Sequence, residues 1–143
     1  MASNIESVRA WLRTCPELVE TNYFQVDYIN DDPTCYAIYS SPSPISYKLD
    51  ITGETYIATE QTQNFYFGVS LPFGRNISQN MANINALEQV IEWIYQQNAI
   101  KNYPKLKEGK VINIMPTLTP YPMAQGANAA LYRISLQMKY RRI

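Results

Sequence analysis

The closing stretch of the sequence constrains the fold most. From Tyr132 to Arg141, apolar Tyr132, Ile134, Leu136, Met138 and Tyr140 alternate with polar Arg133, Ser135, Gln137, Lys139 and Arg141. Successive side chains of an extended backbone point to opposite faces, so this period of two predicts a strand with one dry face and one wet one. Such a strand needs neighbouring strands for its backbone and an apolar layer over its dry face. The rest of the chain must supply both.

Strand signals recur upstream. Phe24, Val26 and Tyr28 alternate with polar residues, and Cys35 to Tyr39 follows after the turn residues Asn30-Asp31-Asp32-Pro33. This pair is expected to form an antiparallel hairpin, since Asn and Asp tolerate turn geometry and Pro fixes φ. Ser40 to Pro44 breaks the pattern, and Ile45, Tyr47, Leu49 and Ile51 resume it before the Thr52-Gly53-Glu54 turn. Tyr56 to Thr59 is a weaker strand. Phe65, Phe67, Val69 and Leu71 form a stronger one, in which Gly68 marks a bulge or a close backbone approach. Val111 to Met115 is expected to be a strand. Pro116, Pro120, Pro122 and Gly126 then punctuate an expected loop of about a dozen residues.

Two segments have helical period. Ile5, Val8, Leu12 and Cys15 form a stripe with Trp11 beside it, opened by a Ser3/Glu6 capping box and stopped by Pro16. Met81, Ile84, Leu87, Ile91 and Ile94 form a second stripe, widened by Val90, Trp93 and Tyr95; Asn76 or Ser78 caps it, and it should end between Asn98 and Lys101. The expected fold class is α+β, in the order α-β-β-β-β-α-β-β. Five to six mainly antiparallel strands carry two helices on one face, and the other face is left to water or a neighbouring subunit. A chain of 143 residues suits a single domain spanning 1–143.

Chemistry is scarce. The sequence contains no histidine, which removes Ser-His-Asp and Cys-His mechanisms and His-ligated metal sites. Cys15 and Cys35 stand 20 residues apart with no C-x-x-C, and the five glycines are too scattered for a phosphate loop. None of the nine serines lies in an S-x-x-K or G-x-S-x-G motif. Asp27, Asp31 and Asp32 cluster, but turn formation explains the latter pair better than an acid pair does. No catalytic residue, cofactor or metal is expected. No apolar run approaches the ~18–20 residues that span a bilayer, and the first residues lack a signal-peptide pattern, so a cytoplasmic protein is expected. Twelve tyrosines admit a stacking platform for a sugar or small ligand, although Tyr28, Tyr36, Tyr132 and Tyr140 fall on expected inward positions.

Charge is unevenly spread. Residues 1–100 hold 4 basic and 11 acidic side chains, a net of −7; residues 101–143 hold 8 basic and 1 acidic, a net of +7. Either the basic last strand meets acidic neighbours in its own sheet, or a polar subunit meets the opposite charge of the next copy. The second arrangement is heterologous and closes into a ring when the rotation fits. Leu118, Tyr121 and Met123 in the proline-rich segment either pack over a sheet edge or dock on a partner. The overall charge balance argues against a protein held to nucleic acid mainly through phosphates.

The segment from Ile5 to Leu12 followed by Cys15-Pro16, then Val26-Asp27-Tyr28 with Asp32-Pro33-Thr34, resembles the minor capsid or tail terminator proteins of long-tailed phages and prophages of Gram-positive bacteria. Glu92-Trp93-Ile94 with Gln97-Asn98, Leu106 with Glu108-Gly109-Lys110, and Tyr132 to Leu136 extend the resemblance over nearly the whole chain, least well between Pro42 and Thr62. It implies a fold like that of the phage lambda tail terminator and copies assembled into a hexameric ring. The ring would stop growth of the tail tube at its head-proximal end and join it to the head connector. The implied partners are further copies of the chain, the tail tube protein and the head–tail connector proteins, with no membrane and no sequence-specific nucleic acid. The implied location is the bacterial host cytoplasm during assembly, then the virion. A neck or head-completion protein of the same particle is the near alternative; a small-ligand or carbohydrate-binding module is the alternative of another class. On the ring reading, Arg133, Lys139 and Arg141 are expected to pair subunits, with Tyr121 and Met123 as anchors.

Overall fold

The computed structural model describes residues 4–16, 18, 24–26, 35–72, 77–125 and 129–142. Its elements are α1 (Asn4–Leu12), β1 (Phe24–Val26), β2 (Cys35–Ser40), β3 (Tyr47–Leu49), β4 (Thr55–Ile57), β5 (Glu60–Pro72), α2 (Ile77–Ala99), β6 (Gly109–Gln125) and β7 (Ala129–Arg142). Five strands form one sheet in the order β1-β2-β5-β7-β6, and β3 and β4 form a separate ribbon. The α+β class stands, with five strands rather than four before α2.

The alternation in β7 does what the sequence requires of it. Tyr132, Ile134, Leu136 and Met138 are buried, and Phe65, Phe67 and Val69 of β5 and Tyr36 and Ile38 of β2 lie with them in one apolar cluster. Val8, Trp11 and Leu12 of α1 and Leu87, Val90 and Ile94 of α2 complete it, so both helices serve the same face of the sheet. Each fully buried side chain of this size is worth roughly 1.5–3 kcal/mol relative to exposure. No described helix is long and apolar enough to cross a membrane.

Three expectations need correction. First, β1 and β2 pair in parallel, with Phe24 opposite Tyr36 and Val26 opposite Ile38. Residues 27–34, including the expected turn, lie outside the described residues. Eight residues can reach roughly 26–29 Å, far beyond the span of a three-residue strand, so turn-forming composition does not dictate the sense of pairing. Second, the proline-rich segment is strand. β6 runs through Pro116 and Pro122, which pair with Leu136 and Tyr132, and its register shifts four times. β6 is the last strand of the sheet, where a missing outward N–H costs no ladder bond, and bulges absorb the misfit. Third, the expected α2 stripe holds at Leu87, Val90 and Ile94, with Ile84, Ile91 and Trp93 packed against the core, but Asn83 is buried beside them while Met81 and Tyr95 are exposed. The expected α1 cap at Ser3 and the Asn76 cap of α2 lie outside the described residues.

The C-terminus of α2 shows how local chemistry stops a helix. Asn98 continues the buried stripe by one turn and faces β6. Its amide donates to the carbonyls of Ile94 and Ile114 at 2.8 and 2.7 Å and accepts from the Ile114 N–H at 3.1 Å. Lys101 then adopts φ 58°. The Asn102 N–H reaches Gln97 O at 2.8 Å, and the Lys101 N–H reaches Asn98 O at 3.2 Å, the bond pair of a Schellman cap. Trp11 donates from its indole to Asn102 O at 2.9 Å and packs on Trp93 with centroids 4.9 Å apart, which ties α1 to this end of α2. Lysine is strained in the left-handed region where glycine is at ease. Lys101→Gly is therefore expected to stabilise the chain by about 0.5–1 kcal/mol, read as a raised urea midpoint.

Candidate interaction surface

The face of the sheet turned away from the helices is built by the polar half of the β7 alternation. Gly68 of β5 lies between Ala37 of β2 and Arg133 of β7 in register. The Tyr39 ring crosses this position so closely that a Cβ on Gly68 would stand 2.9 Å from Cε2 of Tyr39. The close approach anticipated at Gly68 is therefore present, and β5 keeps an unbroken register with β7 there. Beside it, the Arg133 guanidinium carbon lies 3.3 Å from the centre of the Tyr66 ring, a cation–π contact. A hydrogen bond with the Ser41 side chain, and then the Arg133 charge, hold the Tyr66 hydroxyl below the usual tyrosine value. Tyr39, Tyr66, Gly68, Leu131 and Arg133 line a cavity of about 220 Å³.

The residues expected to pair subunits divide within this surface. Arg133 is half-buried and engaged with Tyr66. Arg141 donates to Glu60 at 3.0 Å across the β5–β7 pair, so part of the basic last strand does meet acidic partners in its own sheet. Lys139 is exposed opposite Thr62 and Asn113. Tyr121 is half-buried and sits opposite Arg133 in register, which brings these two expected residues together. Met123 belongs to β6, and its side chain lies outside the described residues. Among the described residues no three His, Cys, Asp or Glu side chains gather as a metal-binding group. Asp27, Asp31 and Asp32 lie outside the described residues.

The second feature is the β3–β4 ribbon, whose exposure the sequence did not foretell. Ile45, Tyr47, Leu49 and Ile51 carry the alternation of a half-buried strand, yet all four are exposed, Ile51 completely. Tyr47 pairs with Ile57 and Leu49 with Thr55, so these residues share one face of the ribbon, while Lys48 and Tyr56 occupy the other. Gln61, buried at the start of β5, holds its root: the side-chain amide donates to Ser46 O at 2.9 Å and Ala58 O at 2.7 Å and accepts from the Ser46 N–H at 3.0 Å. Asp50 shapes its tip, accepting from the Thr52 N–H at 2.8 Å, the Thr52 hydroxyl at 2.6 Å and the Glu54 N–H at 3.0 Å. Gly53 supplies the left-handed residue there, at φ 85°. No signal in the local sequence distinguishes an uncovered ribbon from a half-buried one, because both alternate.

No protein-family model matches the chain, and no curated protein does.

Two outcomes are expected. Arg141 and Glu60 are both more than 60% exposed, at 61% and 63%. Arg141→Glu should therefore shift the unfolding free energy by no more than about 1 kcal/mol, and Glu60→Lys in the same chain should recover it. Four hydrogen-bond donors hold the Asp50 carboxyl below its ordinary value of 3.8, the Thr52 hydroxyl foremost, then the backbone N–H groups of Glu54, Thr52 and Gly53. A carboxyl lowered on folding stabilises the turn above its unfolded value and loses that effect as pH falls through the folded one. The Thr52 amide resonance should titrate with its midpoint below pH 3.8. Asp50→Asn should abolish that titration.

Proposed function

We propose that this protein is a structural component of a long-tailed phage particle, a tail terminator whose copies form a ring at the head-proximal end of the tail tube. The ring ends tube growth and joins the tail to the head connector. One observation carries the reading: both helices cover the same face of the sheet, while Glu60, Lys139 and Arg141 at one end of the other face and Ile45, Tyr47, Leu49 and Ile51 of the ribbon stand exposed. A subunit that acts by fitting against copies of itself and other virion parts needs such surfaces. The resemblance of the sequence to minor capsid and tail terminator proteins supplies the particular assembly. The step from net −7 in residues 1–100 to net +7 in residues 101–143 suits head-to-tail contacts between identical subunits.

The small-ligand reading loses its aromatic platform: the cavity at Tyr39 and Tyr66 measures about 220 Å³, below the ~300–1,000 Å³ usual for ligand pockets, although open clefts of about 370, 490 and 580 Å³ lie elsewhere on the surface. Tyr36 and Tyr132 are spent in the core.

Growing tail tubes mixed with the purified protein should stop at uniform length and carry extra density at one end in electron micrographs. Tubes that elongate unchanged and carry no density there overturn the terminator reading. Labelled antibody on whole particles separates it from a neck or head-completion role by the side of the head–tail joint it marks.

A further inference from the structure

We infer that the β3–β4 ribbon is an arm that docks on a lysine-rimmed groove between α2 and β6 of the next copy of this chain. The inference rests on the ring reading and names the contact that would build it. Tyr47, Leu49 and Ile57 share a face and Ile45 and Ile51 flank it, with exposures from 45% to 105%. At ~150 Å² per fully exposed side chain, the low end of the aromatic range and suited to four aliphatic residues, these five leave roughly 500 Å² uncovered. That lies within the ~300–600 Å² of the largest patches on monomers, which are often functional, and below the ~800 Å² that each partner commits to a stable interface.

Charge selects the occupant. Asp50 and Glu54 stand exposed at the tip of the arm. Lys101, Tyr103, Pro104, Lys105, Leu106 and Lys110 line a groove of about 370 Å³, in which Tyr103 and Leu106 supply apolar walls and the lysines supply the rim. The arm thus carries Asp50 and Glu54 at its tip with Ile51 between them and Lys48 on its other face, and the groove offers Tyr103 and Leu106 among lysines. Within one copy the root of the arm nears the start of β6, since Ile45, Ile57, Glu108 and Arg142 line one cleft, while the tip of the arm stands exposed. The arm leads into β5, the groove leads into β6, and β7 lies between these strands. Glu60, Arg141 and Lys110 lie in one row of the sheet, so arm and groove belong to the same end of it. An exposed tip and a groove at one level join copies side by side and head to tail. Opposite charges then bring copies together in one register and oppose the reverse one.

Sedimentation of the full chain over a concentration series, at low and high salt, tests the contact. Leu49→Ser with Ile51→Ser changes two exposed side chains and should leave thermal unfolding near wild type while weakening association about tenfold or more. Glu54→Lys and Lys105→Glu should each weaken association, and the two together should restore most of it. Association of the serine variant equal to wild type overturns the arm contact and leaves the ring reading standing. Failure of the paired charge reversals to restore association overturns the placement of the arm on this groove. A wild-type chain that stays monomeric at every concentration and on tail tubes overturns both. Copies that associate through the arm yet leave tubes uncapped keep the contact and overturn the terminator reading.

Discussion

Thirteen consecutive antiparallel pairs join β5 to β7, from Glu60–Arg141 to Pro72–Ala129. This ladder sets everything else. Because side chains alternate, a slip of one residue would turn Tyr132, Ile134, Leu136 and Met138 to the open face and Arg133, Ser135 and Gln137 into the core. The register is held at its dry side by Phe65, Phe67 and Val69, which share the apolar layer with the β7 residues. On the other side, Gly68 is kept small by the Tyr39 ring, and Arg133 closes over Tyr66. With the two central strands locked, β2 and β6 add at their flanks and the helices have one surface on which to dock.

The flanks are treated differently. β6 is a 17-residue edge strand, a length that invites pairing with another chain. Pro116, Pro120 and Pro122 interrupt its row of donors, and the register shifts between Val111 and Ala124 bend it out of a flat ladder. Backbone pairing along that edge is therefore discouraged over its second half. The lysine groove, by contrast, precedes and adjoins the start of β6, at Lys101 to Val111, where the strand has not yet met its prolines. Prolines and groove thus leave a restricted part of this flank suited to a neighbour.

Much of the layout was legible in the sequence where burial and periodicity agree. The β7 alternation, the Phe65–Leu71 strand and the existence of two helices on one face follow from positions whose side chains have no other way to leave water. The misses share a cause. Proline in Pro116 to Pro122 argues against a central strand but not an edge, and whether a strand is an edge is a property of topology. The α2 stripe differs at its margins, where Asn83 is buried, half-buried Asn98 bonds to Ile114 and Met81 and Tyr95 are exposed, and a polar residue that turns inward cannot be recognised before its partner is known. The sense of β1–β2 pairing depends on the path between them, not on the residues of the turn. For the interaction surface, the basic residues Arg133, Lys139 and Arg141 were visible as a class. Their division between internal contacts and exposed positions was not, since Tyr66 and Glu60 lie more than sixty residues away along the chain. The arm was visible as two strands and the turn between them, but not as a ribbon standing apart from the sheet.

The hydrogen bonds at its two ends shape the arm more than its length does. A ribbon of two three-residue strands is too short to be stable by itself in water. Here it is held at both ends by polar bonds: Gln61 grips Ser46 and Ala58 at the root, and Asp50 gathers Thr52 and Glu54 at the tip. Neither grip uses the exposed apolar side chains, which remain on the surface. Ordering an arm before it meets its partner removes part of the conformational entropy that docking would otherwise cost. Polar bonds that shape the ribbon, rather than apolar burial within the subunit, are what leave its apolar face available to another surface.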